Sequence, residues 1–146
     1  MEKRYTIALP AALSLLEAIL IFAGLLPPMF SYSPGNIVFS VLRISIIFYI
    51  GWIWASEGLK KNAVSGAYAM AGSVIIIFLA AIIGVYLGKP VLGIPGQNIL
   101  SLLLTMIVNL LLNCALAAFI AAFAAWISVR KISRRAAKSL VQSQRP

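Results

Sequence analysis

Four long apolar runs alternate with short polar breaks along this chain, and that alternation predicts its architecture. Residues 7–26, 36–56, 63–87 and 99–129 are almost wholly apolar. Each is as long as the ~20 residues an α-helix needs to cross a ~30 Å hydrocarbon core. The pattern predicts an all-α integral membrane protein with four transmembrane helices in an antiparallel bundle. Residues 1–129 would form the membrane domain, and 130–146 a basic cytoplasmic tail containing a short amphipathic helix.

The breaks carry turn chemistry. Pro27, Pro28, Pro34 and Gly35 make the first loop, with Asn36 placed to cap the second helix. Glu57 to Asn62 return the chain into the third helix. Gly88 to Asn98 then repeat a Pro-Gly pair shortly before an Asn that starts a helix. Setting Asn36 against Asn98 makes a duplicated helical hairpin a candidate origin for the bundle. Pro10 is expected in or near the first turn of the first helix, where a missing amide hydrogen costs least. The first run has a short basic flank, as a signal peptide does, but its length, a central Glu17 and the lack of a convincing small-x-small site before Ser31 favour a retained helix.

Small residues punctuate the later runs. Ser65, Ala69 and Ser73 follow one another at four-residue steps, with Gly84 and Gly88 beyond. Ala115, Ala117, Ala118, Ala121, Ala122, Ala124 and Ala125 crowd the end of the fourth run. In lipid, where close packing drives helix association, such residues let backbones approach. The fourth run would be about 46 Å long if fully helical, so it must tilt or emerge from the bilayer.

Composition removes several function classes. Apolar residues make up 62% of the 146, leaving no stretch for a separate soluble domain. His is absent and Cys114 is the single cysteine, so the usual metal and haem ligand sets and an intrachain disulfide are missing. No nucleophile–base pair, phosphate loop or metal-ligand spacing is present, so the expectation is no enzyme and no cofactor.

The net charge of +9 matters through its placement. Lys3 and Arg4 precede the first run, Lys60 and Lys61 lie between the second and third, and Arg130, Lys131, Arg134, Arg135, Lys138 and Arg145 follow the fourth. Lys89 alone stands on the other side. The positive-inside rule puts both termini in the cytoplasm, with a prokaryotic-type cytoplasmic membrane as the expected setting. Tyr49, Trp52, Trp54 and Trp126 would mark the inner interface. Ile132, Ala136 and Leu140 recur at helical spacing opposite Arg130, Arg134 and Lys138, so Arg130, Lys131, Arg134, Arg135 and Lys138 are read as ligands for anionic lipid headgroups. No aromatic platform accompanies this charge, which argues against a nucleic-acid partner.

Arg43 and Glu17 are the charges inside the runs. A guanidinium cannot escape burial by losing its proton, so it must reach water or meet a carboxylate. Glu17 lies about 15 Å into helix one from the cytoplasmic end, and Arg43 about 10 Å into helix two from outside, a height difference of roughly 5 Å. Contact between the two is sterically reasonable. On helix four, Ser101, Thr105, Asn109 and Asn113 share one face at i+4 steps, and Asn109 reaches the midplane. Lipid-facing amides are expensive, so this stripe should face inward.

Glu17, Arg43, Thr105, Asn109 and Asn113 are therefore the candidate residues for helix pairing or for binding an ion or small ligand. The leading expectation is a non-catalytic accessory or structural subunit of a membrane assembly. The alternative is an oligomeric channel or transporter for an ion or small solute, using the Glu-Arg-Asn site. Expected partners are anionic lipids and either further copies of the chain or a larger membrane complex.

Overall fold

A computed structural model describes residues 3–31, 33–89, 91–93 and 99–143, and side chains within 5–29, 31, 33–89, 91–93 and 100–133. Four α-helices follow in order: α1 (Lys3–Phe22), α2 (Pro34–Ile53), α3 (Leu59–Tyr86) and α4 (Ile99–Ser143). Each contains a stretch long and apolar enough to cross a membrane, which suggests an integral membrane protein. Around the bundle, α1 packs on α2 and α3, and both of these pack on α4.

Local chemistry sets the helix starts, in two places differently from the expectation. Ser33, not Asn36, caps α2: its side chain accepts from the Asn36 amide at 3.3 Å, and Pro34 fills the first turn. Asn36 instead sits within that turn and donates Nδ2 to the Pro27 and Pro28 carbonyls at 3.1 and 2.9 Å. Those prolines lie in the loop after α1, where their carbonyls need a donor, which the amide supplies. Asn62 does the same for the next turn, donating to the Trp54 and Gly58 carbonyls at 2.8 and 3.0 Å. Gly58 supplies that turn's positive φ of 94°. Pro10 lies well inside α1, because the helix begins at Lys3 rather than at residue 7. Asn98, its counterpart in the hairpin-repeat reading, lies outside the described residues.

The loops at the ends of α1 and α3 are tied together. The Met29 amide donates to the Val91 carbonyl at 2.9 Å, and Lys89 donates Nζ to the Phe22 carbonyl at 3.1 Å. Lys89 thus satisfies an orphan carbonyl at the negative end of α1.

Small residues bring α4 against its neighbours. Ala117, Ala121, Ala124 and Ala125 are fully buried. Gly51 of α2 lies directly on the Ala121 carbonyl, and a Cβ on Gly66 of α3 would stand 2.6 Å from the Ala117 carbonyl. Ile47, Met70 and Val74 pack around Ala117 and Ala121. At the other end Ala18, Ala80 and Val91 form a second apolar cluster.

Beyond residue 129 the chain meets no helix breaker, and α4 runs on unbroken to Ser143. The Arg130 guanidinium lies 5.2 Å from the Trp126 ring centroid, and Lys131 Nζ lies 5.3 Å from that of Trp52. Such cation–π contacts gather aromatic and basic groups at one end of the bundle. The side chains of Arg134, Arg135, Ala136, Lys138 and Leu140 lie outside the described residues.

Two glycines therefore set the α4 seam. Gly51→Ala and Gly66→Ala should each destabilise the protein by ~1–3 kcal/mol through overpacking. Gly72→Ala, whose Cβ would meet Ala11 at an ordinary 3.5 Å, should not. Thermal unfolding in mild detergent measures the difference; equal melting temperatures for all three would contradict the seam.

Candidate intramembrane site

A guanidinium in the middle of an apolar helix governs the arrangement around it. Arg43 is carried on α2 and reaches across to α1, where NH1 meets Glu17 Oε2 at 2.7 Å. The same nitrogen donates to Ser14 Oγ at 2.9 Å, while NH2 makes a longer contact with Ser40 Oγ at 3.4 Å. Ser14 also hydrogen-bonds to Ser73 of α3, and Ser40 donates to the Asn36 carbonyl at 3.1 Å. Having accepted from Arg43, Ser14 has its own hydroxyl hydrogen free for Ser73. One cation thus links three helices through charge-assisted and hydroxyl bonds.

Burial makes this network consequential. Glu17 is 1% exposed and Ser14 and Ser73 are buried with it. Taking two charges out of water is costly, and their attraction offsets this cost only when the geometry is good and the remaining donors are met. Here the short contact meets the first condition, and the serines meet part of the second.

Next to the pair lies a cavity of about 490 Å³, walled by α2, α3 and α4 and reaching Glu17 on α1. Glu17, Arg43, Thr105, Asn109 and Asn113 all line it. The α4 residues form a ladder along their own helix. Thr105 donates to the Ser101 carbonyl at 2.8 Å, Asn109 to Thr105 at 2.9 Å and Asn113 to Asn109 at 2.8 Å. Each polar side chain thereby meets part of its hydrogen-bonding capacity one turn back, a known habit of short polar residues in membrane helices. Among the described residues, no hydrogen bond joins this ladder to Arg43 or Glu17. The structure brings the two charges together and sets the amides on a separate wall of the same cavity.

Ser14 and Ser40 were not singled out as site residues, and Ser73 was read only as a packing position. A signal was available for two of them: Ser14 lies three residues before Glu17 and Ser40 three before Arg43, so each shares a helix face with its charge. Ser73 had no such cue, because its partner is on another helix. Cys114 donates to the Ala67 carbonyl at 3.6 Å and takes no part in the network.

The fold and site together describe a bundle of helices long and apolar enough to span a membrane, with a buried ion pair beside a mainly apolar cavity. No protein-family model matches the chain, and neither does any curated protein or solved structure.

Removing one partner leaves the other charge buried without compensation. Glu17→Gln or Arg43→Met alone should cost roughly 3–5 kcal/mol, whereas the double variant Glu17→Gln/Arg43→Met should recover most of it. Unfolding measurements around this double-mutant cycle test the coupling. Additive losses would show that the pair does not act as a unit.

Proposed function

We propose that this protein is a non-enzymatic membrane protein that binds a small molecule within the bilayer, as a carrier or transporter does. The observation that carries this reading is the 490 Å³ cavity lined by both charges and the α4 polar ladder. Ligand sites commonly occupy ~300–1,000 Å³, with mostly apolar walls and a few placed polar groups. Ionisable residues inside membrane segments also mark ligand and ion pathways.

A second reading, an accessory subunit of a larger assembly, is favoured by α4. Leu104, Val108, Leu111, Leu112 and Phe119 are all exposed along it, offering a long apolar face to lipid or to another helix. The self-satisfied ion pair suits this role too, since it needs no charge from a partner chain.

The proposed topology is an antiparallel bundle with both termini in the cytoplasm. It is supported by the basic residues clustered at the start of α1, around the α2–α3 turn and after residue 129. Contacts from Ser14 to Ser73 and from Ala18 to Ala80 ascend together along α1 and α3, as alternating spans or a duplicated hairpin would have it. The basic end of α4, including Arg130 and Lys131, would continue into the cytoplasm and meet anionic headgroups there.

Native mass spectrometry of the protein released from mild detergent tests the two functional readings. Binding predicts a retained small-molecule mass that is lost in the cavity-filling variant Val41→Trp. A defined complex with a larger membrane protein and no such mass would support the subunit reading instead. A C-terminal fluorescent-protein fusion, expected to mature only in the cytoplasm, checks the orientation.

A further inference from the structure

The ion pair does not present its two members equally to the cavity. The Glu17 side chain is 1% exposed, against 10% for Arg43, so the guanidinium presents more surface than the carboxylate. NH1 is committed to Glu17 and Ser14, but NH2 makes only the 3.4 Å contact with Ser40. Since a guanidinium has five N–H donors in a planar fork, its outer edge retains donor capacity on the cavity side. Among the described lining residues, Glu17 is the sole acid, and it is already engaged. Neutral acceptors do line the wall, Asn36 Oδ1 among them and without a partner, so what the described lining lacks is a second anion for the free edge of Arg43.

The remaining walls specify the body of a ligand. Met70, Val74, Ile77, Phe78, Met106 and Ile120 make them apolar. At the rim, Ile37, Val41, Ile44 and Leu116 are all exposed, and all lie in membrane-spanning stretches. A mouth framed by aliphatic side chains at that depth opens to acyl chains rather than to water. The volume is that of a drug-sized molecule, which suits one chain better than a two-chain lipid.

From these features, and resting on the binding reading above, we infer that the cavity takes a single-chain carboxylate amphiphile from the bilayer. Its head meets the free edge of the Arg43 guanidinium, and its chain lies along the α3 and α4 walls. Planar carboxylate matches the planar fork, and one guanidinium can serve two carboxylates from two edges. Glu17 keeps NH1, so the helix-tying contact persists with ligand bound.

The experiment uses the full chain in detergent micelles with three probes: laurate, dodecyltrimethylammonium of the same chain length, and acetate. Thermal unfolding and titration should show laurate stabilising the protein and binding at least tenfold more tightly than either of the others. Val41→Trp should weaken laurate binding at least tenfold; Leu116→Trp asks the same question from the opposite rim if the first variant does not fold. The paired variant Glu17→Gln/Arg43→Gln, which leaves no lone charge, should retain an amphiphile site but lose the preference for carboxylate. Equal binding of laurate and the ammonium amphiphile would overturn the carboxylate head, and acetate binding as tightly as laurate would overturn the chain; either result sinks the inference while leaving a binding cavity in place. If neither amphiphile binds and the rim variants change nothing, the binding reading falls as well.

Discussion

Burying a charge that cannot be neutralised is the constraint from which the centre of this bundle follows. Arg43 sits in the middle of α2 with apolar residues on either side. In hydrocarbon its guanidinium needs a counter-charge and enough acceptors to occupy its donors. Glu17 supplies the first; Ser14 and Ser40 supply part of the second. Because these partners come from α1 and α2, and Ser14 passes the connection on to Ser73 of α3, meeting the cation's needs also fixes the relative placement of three helices.

The fourth helix is held by different physics. Among the described residues it adds no hydrogen bond to the ion-pair network, and it approaches α2 and α3 through alanines set against Gly51 and Gly66. Without a hydrophobic driving force between helices in lipid, such backbone proximity supplies the dispersion contacts that hold the seam. Larger side chains occupy the rest of α4, including Leu104 and Leu111, which remain exposed. The cavity lies beside this seam and shares Ala117 with it. The polar end of the problem and the packing end of the problem thus meet at one place, next to Arg43.

That juxtaposition favours a binding role over a purely structural one. A charge pair that only fixed helix register could be packed tightly on all sides, as alanines and glycines do a few turns away. Here the guanidinium is covered by Glu17 and the serines on one side and borders a space of molecular size on the other. The amide ladder of Asn109 and Asn113 lines that same space while remaining anchored to its own helix. Polar groups arranged around an apolar cavity can orient a ligand without demanding the desolvation of a fully charged site.

Hydropathy and length alone determined that the chain makes four helices capable of spanning a membrane, because a run of twenty-odd apolar residues has few other stable fates. Counting along those runs also placed Glu17 and Arg43 at similar depths and put Thr105, Asn109 and Asn113 on one face, since the helical repeat is fixed. The helix ends were less legible: Ser33 caps α2, while Asn36, three residues on, turns its side-chain amide back to the Pro27 and Pro28 carbonyls. Only the tertiary structure decided that Ser14 and Ser73 complete the ion-pair network, that the amides turn to their own helix, and that a cavity separates them from Arg43. Periodicity assigns a residue to a face of its own helix, but the partner of that face depends on how closely each pair of backbones can approach, and that is settled by side chains from all four helices at once.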